Sequence, residues 1–399
     1  MGKHTSGCDR RIPAFSARLP QEARAQKGYF MKILHTGDLH LDGAFHSLSE
    51  RQAEIRKNEL RAAFTSMMTY ARMNDVSIAL FAGDIFDSAY ATRETLQLLS
   101  TEFARFGRPV VIATGNHDPS GYLWNGVEFP DNVTIFAKPE MERVTFPELD
   151  CEVWGYGFDT PNLDVSPLEG FCLPAPEDGA ENRIRLVVCH ADTIDRNSTN
   201  APLSEQALRD CGADYIALGH IHNAPPMGEK WAYCGCLEGR KFTEPGPKGA
   251  CIAEIQKENG IAQVRVRRVR FSKRRYEAVE LPVDGIRTQA EAAERIAAWI
   301  TEKKLGEDCL LRVTLTGQVD PALVLQPELF DPCGLFSLTV IDGTSPALDP
   351  ATLRADPGIR GAFYRALEPR LHSTDPTERA GAVIALRAGL SAIDGGSIG

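Results

Sequence analysis

The chain has 399 residues, of which 44 are Lys or Arg and 54 are Asp or Glu, so its formal net charge at pH 7 is -10. Hydrophobic residues make up 43% of it, as in ordinary folded proteins, which excludes a disordered, collagen-like or coiled-coil chain. At about 100 to 200 residues per domain, two or three domains are expected.

Composition also bears on location. The apolar runs, such as Ile78–Ala82 and Val110–Ala113, are far shorter than the roughly 18 residues that cross a bilayer, so we expect no membrane span. The 10 cysteines are scattered and include no C-x-x-C pair, which indicates reduced thiols and a cytoplasmic protein.

Residues 1–30 carry six basic and two acidic residues and no apolar segment, so we expect them to lie outside the fold. They resemble either an Arg-rich transit segment or sequence upstream of a true initiator at Met31.

From Met31 to about residue 275, short β-rich runs alternate with helix-length amphipathic segments, the pattern of an α/β domain with crossover helices. The predicted strands are 32–36, 78–82, 110–114, 133–136, 153–158, 185–189, 215–218 and 250–255, and the predicted helices are 49–73, 92–106 and 204–211.

Residues 276–399 have the pattern of a smaller α+β domain. Its predicted elements are a helix at 288–304, strands at 310–315 and 335–341, and a helix at 380–393. From Pro350 to that last helix the chain is rich in Pro, Asp and Arg, and we interpret it as a disordered or partner-binding tail.

Five apolar runs of the first domain end in polar clusters, most of them led by glycine. Because the carboxyl ends of strands joined by crossover helices meet at one edge of a sheet, these clusters are predicted to share one rim. Carboxylate, amide and imidazole donors without thiolate favour Mn, Fe or Zn in a catalytic site. The rim residues are Asp38, His40, Asp84, Asn116, His117, His190, His220 and His222.

Spacing within this set supports two neighbouring cations. In Asp38-x-His40 and His220-x-His222, the i, i+2 spacing places both side chains on one side of an extended segment. A carboxylate such as Asp84 is able to bridge two cations about 3.5 to 4 Å apart, a spacing that serves phosphoryl transfer and lowers the pKa of a shared water. Three other histidines are interpreted as structural, namely His35, His46 and His372.

Five sequence blocks resemble, in order, the signature of the calcineurin-like metallophosphoesterase superfamily. They are Gly-Asp-Leu-His at 37–40, Gly-Asp-Ile-Phe-Asp at 83–87, Gly-Asn-His-Asp at 115–118, His190, and Gly-His-Ile-His at 219–222. Within the superfamily the chain is similar to the SbcD-like DNA repair exonucleases, including their YhaO-like members. This similarity continues through residues 233–249 and covers about residues 31–275.

The resemblance implies a calcineurin-like four-layer α/β/β/α sandwich followed by a small C-terminal α+β cap domain. It also implies two divalent metal ions bridged by Asp84, with Mn2+ as our prediction and Fe or Zn as alternatives. One ion would be held by Asp38, His40 and His222, and the other by Asn116, His190 and His220.

The same resemblance gives His117 the role of an acid beside the metals. Asp118 is predicted either to fix the tautomer of His117 or to cap a turn. Asp87 is interpreted as a helix cap in preference to an orienting group, and Asp42 is left between those two roles.

The metal ligands alone do not identify the substrate, so we use residues outside the ligand set to predict it. Phosphatases that resemble this core usually carry Arg-Gly after the second block and Glu after the third, and this chain has neither, which disfavours a phosphoprotein phosphatase.

Seven basic residues lie within residues 265–275, on a predicted strand whose register is expected to shift at Arg268. Their alternative interpretation is a solvated edge strand. The predicted DNA contacts among them are Arg267, Arg270 and Arg274.

We therefore predict a metal-dependent exonuclease that hydrolyses DNA phosphodiesters at duplex ends in double-strand break repair, through a hydroxide activated by two metals. No G-x-x-x-x-G-K-[ST] motif occurs, so an ATP-driven step would need another subunit. The resemblance implies an SMC-like, SbcC-type ATPase partner and a homodimer. The alternatives are a small-nucleotide phosphodiesterase or phosphatase, and a non-catalytic DNA-end-binding scaffold.

Overall fold

The structure is a computed structural model that describes residues 30–87, 91–120, 128–320, 323–347 and 349–393. The chain divides into two compact units, the first ending at Lys273 and the second beginning at Arg274. The predicted N-terminal extension lies outside the described residues, apart from Phe30.

The first unit contains two sheets and three helices in its described part. Its elements are β1 (Met31–Thr36), α1 (Glu50–Met73), β2 (Ile78–Ala82), α2 (Arg93–Phe106), β3 (Val110–Ala113), β4 (Val133–Phe136), β5 (Glu142–Phe146), β6 (Cys151–Gly155), β7 (Ile184–His190), α3 (Glu205–Asp210), β8 (Tyr215–Gly219), β9 (Trp231–Tyr233), β10 (Gly249–Glu258) and β11 (Ile261–Arg270).

The six-stranded sheet has the order β11-β10-β1-β2-β3-β4, and the five-stranded sheet has the order β5-β6-β7-β8-β9. Strands β1 to β4 are parallel to one another, as are β6 to β9, whereas β5, β10 and β11 join antiparallel. The carboxyl ends of β1, β2 and β3 therefore share one edge of the first sheet, and those of β7 and β8 share one edge of the second.

Successive side chains along a strand point to opposite faces of the sheet, and the apolar ones form three packed layers. Ile33 of β1 packs between the two sheets, whereas its neighbour Leu34 packs against α1 and α2. In the second sheet, Leu186 of β7 faces the first sheet and Val187 packs against α3. The predicted four-layer α/β/β/α sandwich is confirmed.

The three helices begin where polar caps predict. Ser49, Thr92 and Ser204 each have extended backbone, and each side-chain oxygen accepts the N–H of the third helical residue. Such a cap satisfies one of the N–H groups that lack a partner at a helix start.

Strand β11 pairs with β10 without interruption, so the predicted register shift at Arg268 is wrong. Regular alternation places Arg268 on the same face as Val266, and Arg267 on the opposite face. Arg268 is accommodated there because its guanidinium donates to the carbonyls of Pro225 and Tyr233, at 3.0 and 3.3 Å.

The second unit has a three-stranded parallel sheet in the order β12-β13-β15, a short pair of strands β14 and β16, and four helices in its described part. Its elements are β12 (Arg275–Pro282), α4 (Gln289–Glu302), β13 (Cys309–Thr316), β14 (Gln318–Val319), β15 (Ser337–Asp342), β16 (Ser345–Pro346), α5 (Pro350–Ala355), α6 (Ile359–Leu371) and α7 (Pro376–Ile393). Val313 and Leu315 of β13 pack with Ile296 and Ile300 of α4.

The segment after Pro350 forms α5 and α6 before α7, so the predicted disorder is wrong, whereas a partner-binding role stays a prediction. The side chain of Asp349 accepts the N–H of Ala351 at the start of α5, and Pro350 occupies the first helical position. Within the described ranges, no helix combines the length and the apolar character needed to cross a bilayer.

Candidate metal centre

The polar clusters that follow the parallel strands meet at one rim. The N–H of Asp38 donates to the carbonyl of Gly83 and that of His40 to the carbonyl of Asp84, both at 3.0 Å, so the pairing of β1 with β2 continues past the strands. The N–H of His220 donates to both carboxylate oxygens of Asp38, at 3.0 Å each, which ties the end of β8 to the end of β1. The two sheets are thus joined at the site.

Four of the predicted ligands adopt left-handed backbone conformations: Asp38 (φ 48), His40 (φ 47), Asp84 (φ 52) and His220 (φ 104). Conformations of this kind cost on the order of 1–3 kcal/mol each and persist only where the surrounding structure enforces them. The strained backbone of these loops lowers local stability and directs the four side chains to one point.

Two glycines are required by close packing around the ligands. A Cβ atom at Gly115 would lie 2.1 Å from Oδ1 of Asp84, and one at Gly83 would lie 2.5 Å from Nδ1 of His190. Either contact would displace a predicted ligand, which explains why glycine leads these clusters.

The first predicted ligand set, Asp38, His40 and His222, converges as expected from the resemblance. Nε2 of His40 lies 3.0 Å from Nε2 of His222, and Nε2 of His222 lies 3.8 Å from Oδ1 of Asp38. One ligand atom from each residue lies within 4.8 Å of those of the other two.

The second set, Asn116, His190 and His220, also converges. Nε2 of His190 lies 3.0 Å from Oδ1 of Asn116 and 3.3 Å from Nδ1 of His220. Oδ2 of Asp84 lies 3.4 Å from Nε2 of His190 and 3.7 Å from Nε2 of His40, so this carboxylate lies between the two sets.

Contacts of the imidazole rings identify the nitrogen that each ring offers to a cation. Nδ1 of His190 lies 2.9 Å from the carbonyl oxygen of Ala82, and Nδ1 of His222 lies 2.7 Å from Oε1 of Glu244. Because these oxygens accept, Nδ1 of each ring carries a proton, and Nε2 is the nitrogen that can bind a cation once it has no proton. In His220 the two ring nitrogens have the opposite roles. Its Nε2 lies 3.5 Å from Oδ2 of Asp192, and its Nδ1 faces His190.

The Nε2 atoms face one another and the oxygens of the site, and this arrangement fits bound cations. Nε2 of His40 faces Nε2 of His222, and Nε2 of His190 faces oxygens of Asn116 and Asp84. Acceptors that face each other in a buried site repel unless positive charge lies between them. The donor set therefore suits two divalent cations, and its oxygen and nitrogen composition suits Mn, Fe or Zn.

Electrostatics lead to the same conclusion. Burial lowers the pKa of His40 and of His220 to about 4, so both rings are neutral and able to bind a cation. Burial acts to raise the pKa of Asp84, but the neighbouring His190 outweighs it and holds that pKa well below its usual range. Burial raises the pKa of Asp38 to about 6. Burial acts to lower the pKa of His190, but the carboxylates of Asp84 and Asp38 outweigh it and raise that pKa to about 9. The buried carboxylates therefore attract positive charge to this point, and divalent cations that take the place of the His190 proton would supply it.

His117 lies beside this cluster, with its ring centroid 4.8 Å from that of His40 and its side chain 43% exposed. Nδ1 of His117 lies 3.1 Å from the carbonyl oxygen of Asp87, so Asp87 supplies the contact that orients the ring. The side chain of Asp87 lies 3.0 Å from Nδ1 of His40. Asp87 is therefore an orienting residue, and the predicted helix cap is wrong.

Asp118 has a different position from the predicted orienting one. Its carboxylate accepts backbone N–H groups of Gly115 at 2.7 Å, Ile85 at 2.7 Å and Phe86 at 3.2 Å. It is buried and holds the loop after β3 against the loop after β2, which agrees with the alternative prediction of a turn cap. Asp42 accepts from Thr92 at the start of α2 and so acts as a cap as well.

Sequence patterns missed three further residues of the site, Glu244, Arg240 and Asp192. Glu244 holds His222, and Asp192 faces His220. Nη1 of Arg240 lies 2.6 Å from Oδ1 of Asp87. Glu244 and Arg240 belong to the 233–249 segment that extended the resemblance, but neither has a spacing that connects it to a metal ligand.

The three predicted DNA contacts lie in different surroundings. Arg267 donates to the hydroxyl of Tyr70 at 2.6 Å on the helix side of β11. Arg270 is exposed at the end of β11. Arg274, in the second unit, is 8% exposed, with its guanidinium carbon 3.6 Å from the ring centroid of Phe336, so it is not the surface cation that a phosphate contact requires.

Residues 31–224 match the family model described as calcineurin-like phosphoesterase. With the converging ligand sets, this match defines the class: the first unit contains a calcineurin-like metallophosphoesterase domain, a hydrolase domain with clusters of residues that can bind two metals. The superfamily predicted from the five blocks is confirmed, whereas the SbcD-like branch stays a prediction.

Among particular proteins, the chain is 26% identical over 237 residues to a Bacillus subtilis protein named uncharacterized metallophosphoesterase YhaO. The match covers 56% of this chain and 57% of that protein, so it spans little more than half of the relative's length.

Solved structures that align with the chain include a dimetal phosphatase from Danio rerio, with 10% identity, TM-score 0.36 and coverage of 59% of this chain and 98% of that one. They also include Vacuolar Protein Sorting 29 from Cryptosporidium parvum, with 15% identity, TM-score 0.27 and coverage of 61% and 99%.

Proposed function

We propose that this chain is a metal-dependent exonuclease that hydrolyses phosphodiesters at the ends of duplex DNA. One observation carries the proposal: the Nε2 atoms of His40, His190 and His222 converge with the carboxylates of Asp38 and Asp84 on one point of the rim. A site of this composition serves phosphoester hydrolysis.

Two divalent cations, bound by these residues, would stabilise charge on the phosphoryl oxygens and lower the pKa of water to give a nucleophile at neutral pH. The chain itself supplies the acid. Because Nδ1 of His117 is held by the carbonyl of Asp87, Nε2 is the nitrogen able to hold a proton at the leaving oxygen. His117 is more exposed than the buried ligands, so substrate approaches on its side.

DNA as the substrate is supported by the resemblance to SbcD-like exonucleases and by the basic strand β11, of which Arg270 is exposed. The proposal includes Mn2+ as the native metal, a cytoplasmic location, a homodimer and an SMC-like, SbcC-type ATPase subunit for any ATP-driven step. The net charge of -10 favours the alternative of a small nucleotide substrate, and cleavage assays distinguish the two.

The test compares end-labelled linear duplex with covalently closed circular DNA, in Mn2+, Mg2+ or chelator. The wild type, His117→Ala and His46→Ala are assayed side by side, because His46 is an exposed histidine of the same unit and lies away from the ligand clusters. We expect Mn2+-dependent loss of the linear label, a fall of about 100-fold or more in His117→Ala and no change in His46→Ala.

Cleavage of bis(p-nitrophenyl) phosphate without cleavage of either DNA would overturn the exonuclease and favour the small-nucleotide enzyme. DNA-end binding with no metal-dependent hydrolysis of either substrate would favour the scaffold.

A further inference from the structure

A cleft of about 630 Å3 opens beside His222 in the first unit. Its volume is in the range of about 300 to 1,000 Å3 that is typical of small-molecule sites. The described residues that line it come from the loop after β8, the 234–236 and 245–249 segments and the end of β11. Because His222 belongs both to this cleft and to the first ligand set, the cleft begins at the metal centre.

The cleft is positively charged in a chain whose net charge is negative. Among its described lining residues, three are cationic, Lys248, Arg268 and Arg270, and none is acidic. An enclosed surface with one sign of charge concentrates ligands of the opposite sign. The cleft therefore suits an anion.

Backbone carbonyls and the side chain of Asn223 contact two of its cations, Lys248 and Arg270. Nζ of Lys248 donates to Oδ1 of Asn223 at 2.8 Å and to the carbonyl of His222 at 3.3 Å. This carbonyl belongs to a predicted metal ligand, so the ammonium group contacts that residue directly. Nε of Arg270 donates to the carbonyl of Ser272 at 3.0 Å. These contacts hold both side chains beside the cleft.

The remaining wall is apolar. It is formed by Pro245, Pro247, Ala224 and Val269, together with the buried Cys234 and Cys236. Prolines present rigid apolar surface with little entropy to lose on contact. A ligand that combines a phosphate with a sugar and base would match both the cations and this wall.

We infer that the cleft holds the nucleotide attached to the scissile phosphate, with Lys248 and Arg270 against the next phosphate along the chain. This inference rests on the proposed function and extends it, because it makes an oligonucleotide a better ligand than an isolated phosphoester. It also assigns a role to Arg270 but not to Arg267, which lies on the opposite face of β11 against Tyr70.

The test is fluorescence anisotropy of labelled single-stranded hexathymidylate in EDTA, so that binding is measured without turnover. The variants are Lys248→Gln with Arg270→Gln, the charge-preserving pair Lys248→Arg with Arg270→Lys, and Lys138→Gln as a matched control. Lys138 is an exposed lysine of the same unit that does not line the cleft.

We expect the Gln pair to weaken binding about tenfold or more and to reduce the slope of log affinity against log salt by about 0.7 for each phosphate that no longer meets a cation. The charge-preserving pair should recover most of the affinity, and Lys138→Gln should stay within twofold of the wild type. Thermal melting followed by circular dichroism establishes that each variant is folded.

Equal affinity of the wild type and the folded Gln pair would overturn the assignment of the cleft, as would an equal loss in Lys138→Gln. Mn2+-dependent loss of the end-labelled linear duplex is measured with the wild type in parallel. If it is absent, the proposed function fails whatever the binding result; if it is present while the Gln pair binds normally, only the cleft fails.

Discussion

The orientation of two predicted ligands depends on one short segment of the chain. His40 contacts the side chain of Asp87, and His222 contacts Glu244. Arg240 links these two carboxylates, since its guanidinium donates to Asp87 at 2.6 Å and its backbone N–H donates to Glu244 at 2.8 Å. The ring nitrogens offered to a cation are therefore set by residues that do not bind it themselves.

Replacement of Glu244 by Ala is expected to weaken Mn2+ binding by about 10- to 100-fold, the usual effect of removing a partner that orients a metal-binding histidine. Without Glu244, Nδ1 of His222 has no acceptor to fix its proton, and the ring can rotate or change tautomer. Isothermal titration with Mn2+ measures the affinity.

Two further variants test whether the loss of Mn2+ affinity comes from the orientation of His222. Glu244→Gln keeps an oxygen that accepts from Nδ1, so its loss of affinity should be smaller than that of Glu244→Ala. Glu140→Ala removes an exposed carboxylate outside the predicted site and should bind Mn2+ as the wild type does. Equal Mn2+ affinity in all of these proteins would show that Glu244 has no orienting role.

At the scale of elements, the start of α1 offers a matched pair of serines. Ser49 caps the helix and forms a capping box with Gln52, whereas the side chain of Ser66, in the same helix, donates to the carbonyl of Ala62. We expect Ser49→Ala to lower the free energy of unfolding by about 1 kcal/mol. Ser66→Ala should leave it unchanged or raise it by up to about 0.5 kcal/mol, because Ala has the higher helix propensity.

Urea unfolding followed by circular dichroism measures both changes. An equal decrease of the unfolding free energy in the two serine variants would rule out the capping role of Ser49, because Ser66 lies inside the helix and does not cap it.

The elements that the sequence predicts well are those with strong local signals. Helices α1, α2 and α3 start at Ser, Thr and Ser caps, and the central strands are continuous apolar runs. Strands β5 and β12 were missed because they alternate polar and apolar residues over a short length and are recognised only by their partners. Helix α6 was missed because Pro369 lies inside it, which ordinarily argues against a helix.

The same contrast holds for the site. Ligands such as Asp38 and Asp84 directly follow apolar strands, so strand order alone brings them together. Glu244 and Arg240 lie in an irregular segment, and their contacts depend on the three-dimensional path of that segment. Asp87 was assigned the wrong role because a carboxylate before a helix has the same local pattern whether it caps the helix or orients a histidine.

At the scale of the whole first unit, His35 links the two sheets across the central layer. Its Nδ1 lies 2.8 Å from the hydroxyl of Tyr215, which donates to it, and its Nε2 donates to the carbonyl of Leu218 at 3.1 Å. The neutral ring is thus fully satisfied inside the core, with no water needed. Burial lowers its pKa to about 3, and the nearby positive charge of Arg268 acts in the same direction.

This shift predicts how stability depends on pH. Between the ordinary histidine pKa of about 6.5 and the folded value of about 3, the unfolded chain binds a proton that the folded chain does not, so unfolding becomes easier as pH falls. From pH 7 to pH 5, His35 should account for about 2 kcal/mol of the loss of unfolding free energy. His35→Gln keeps a donor and an acceptor but takes up no proton, so urea unfolding of this variant should show a correspondingly smaller loss. His46→Gln, at an exposed position, should lose as much as the wild type, and an equal loss in His35→Gln would contradict a buried, neutral His35.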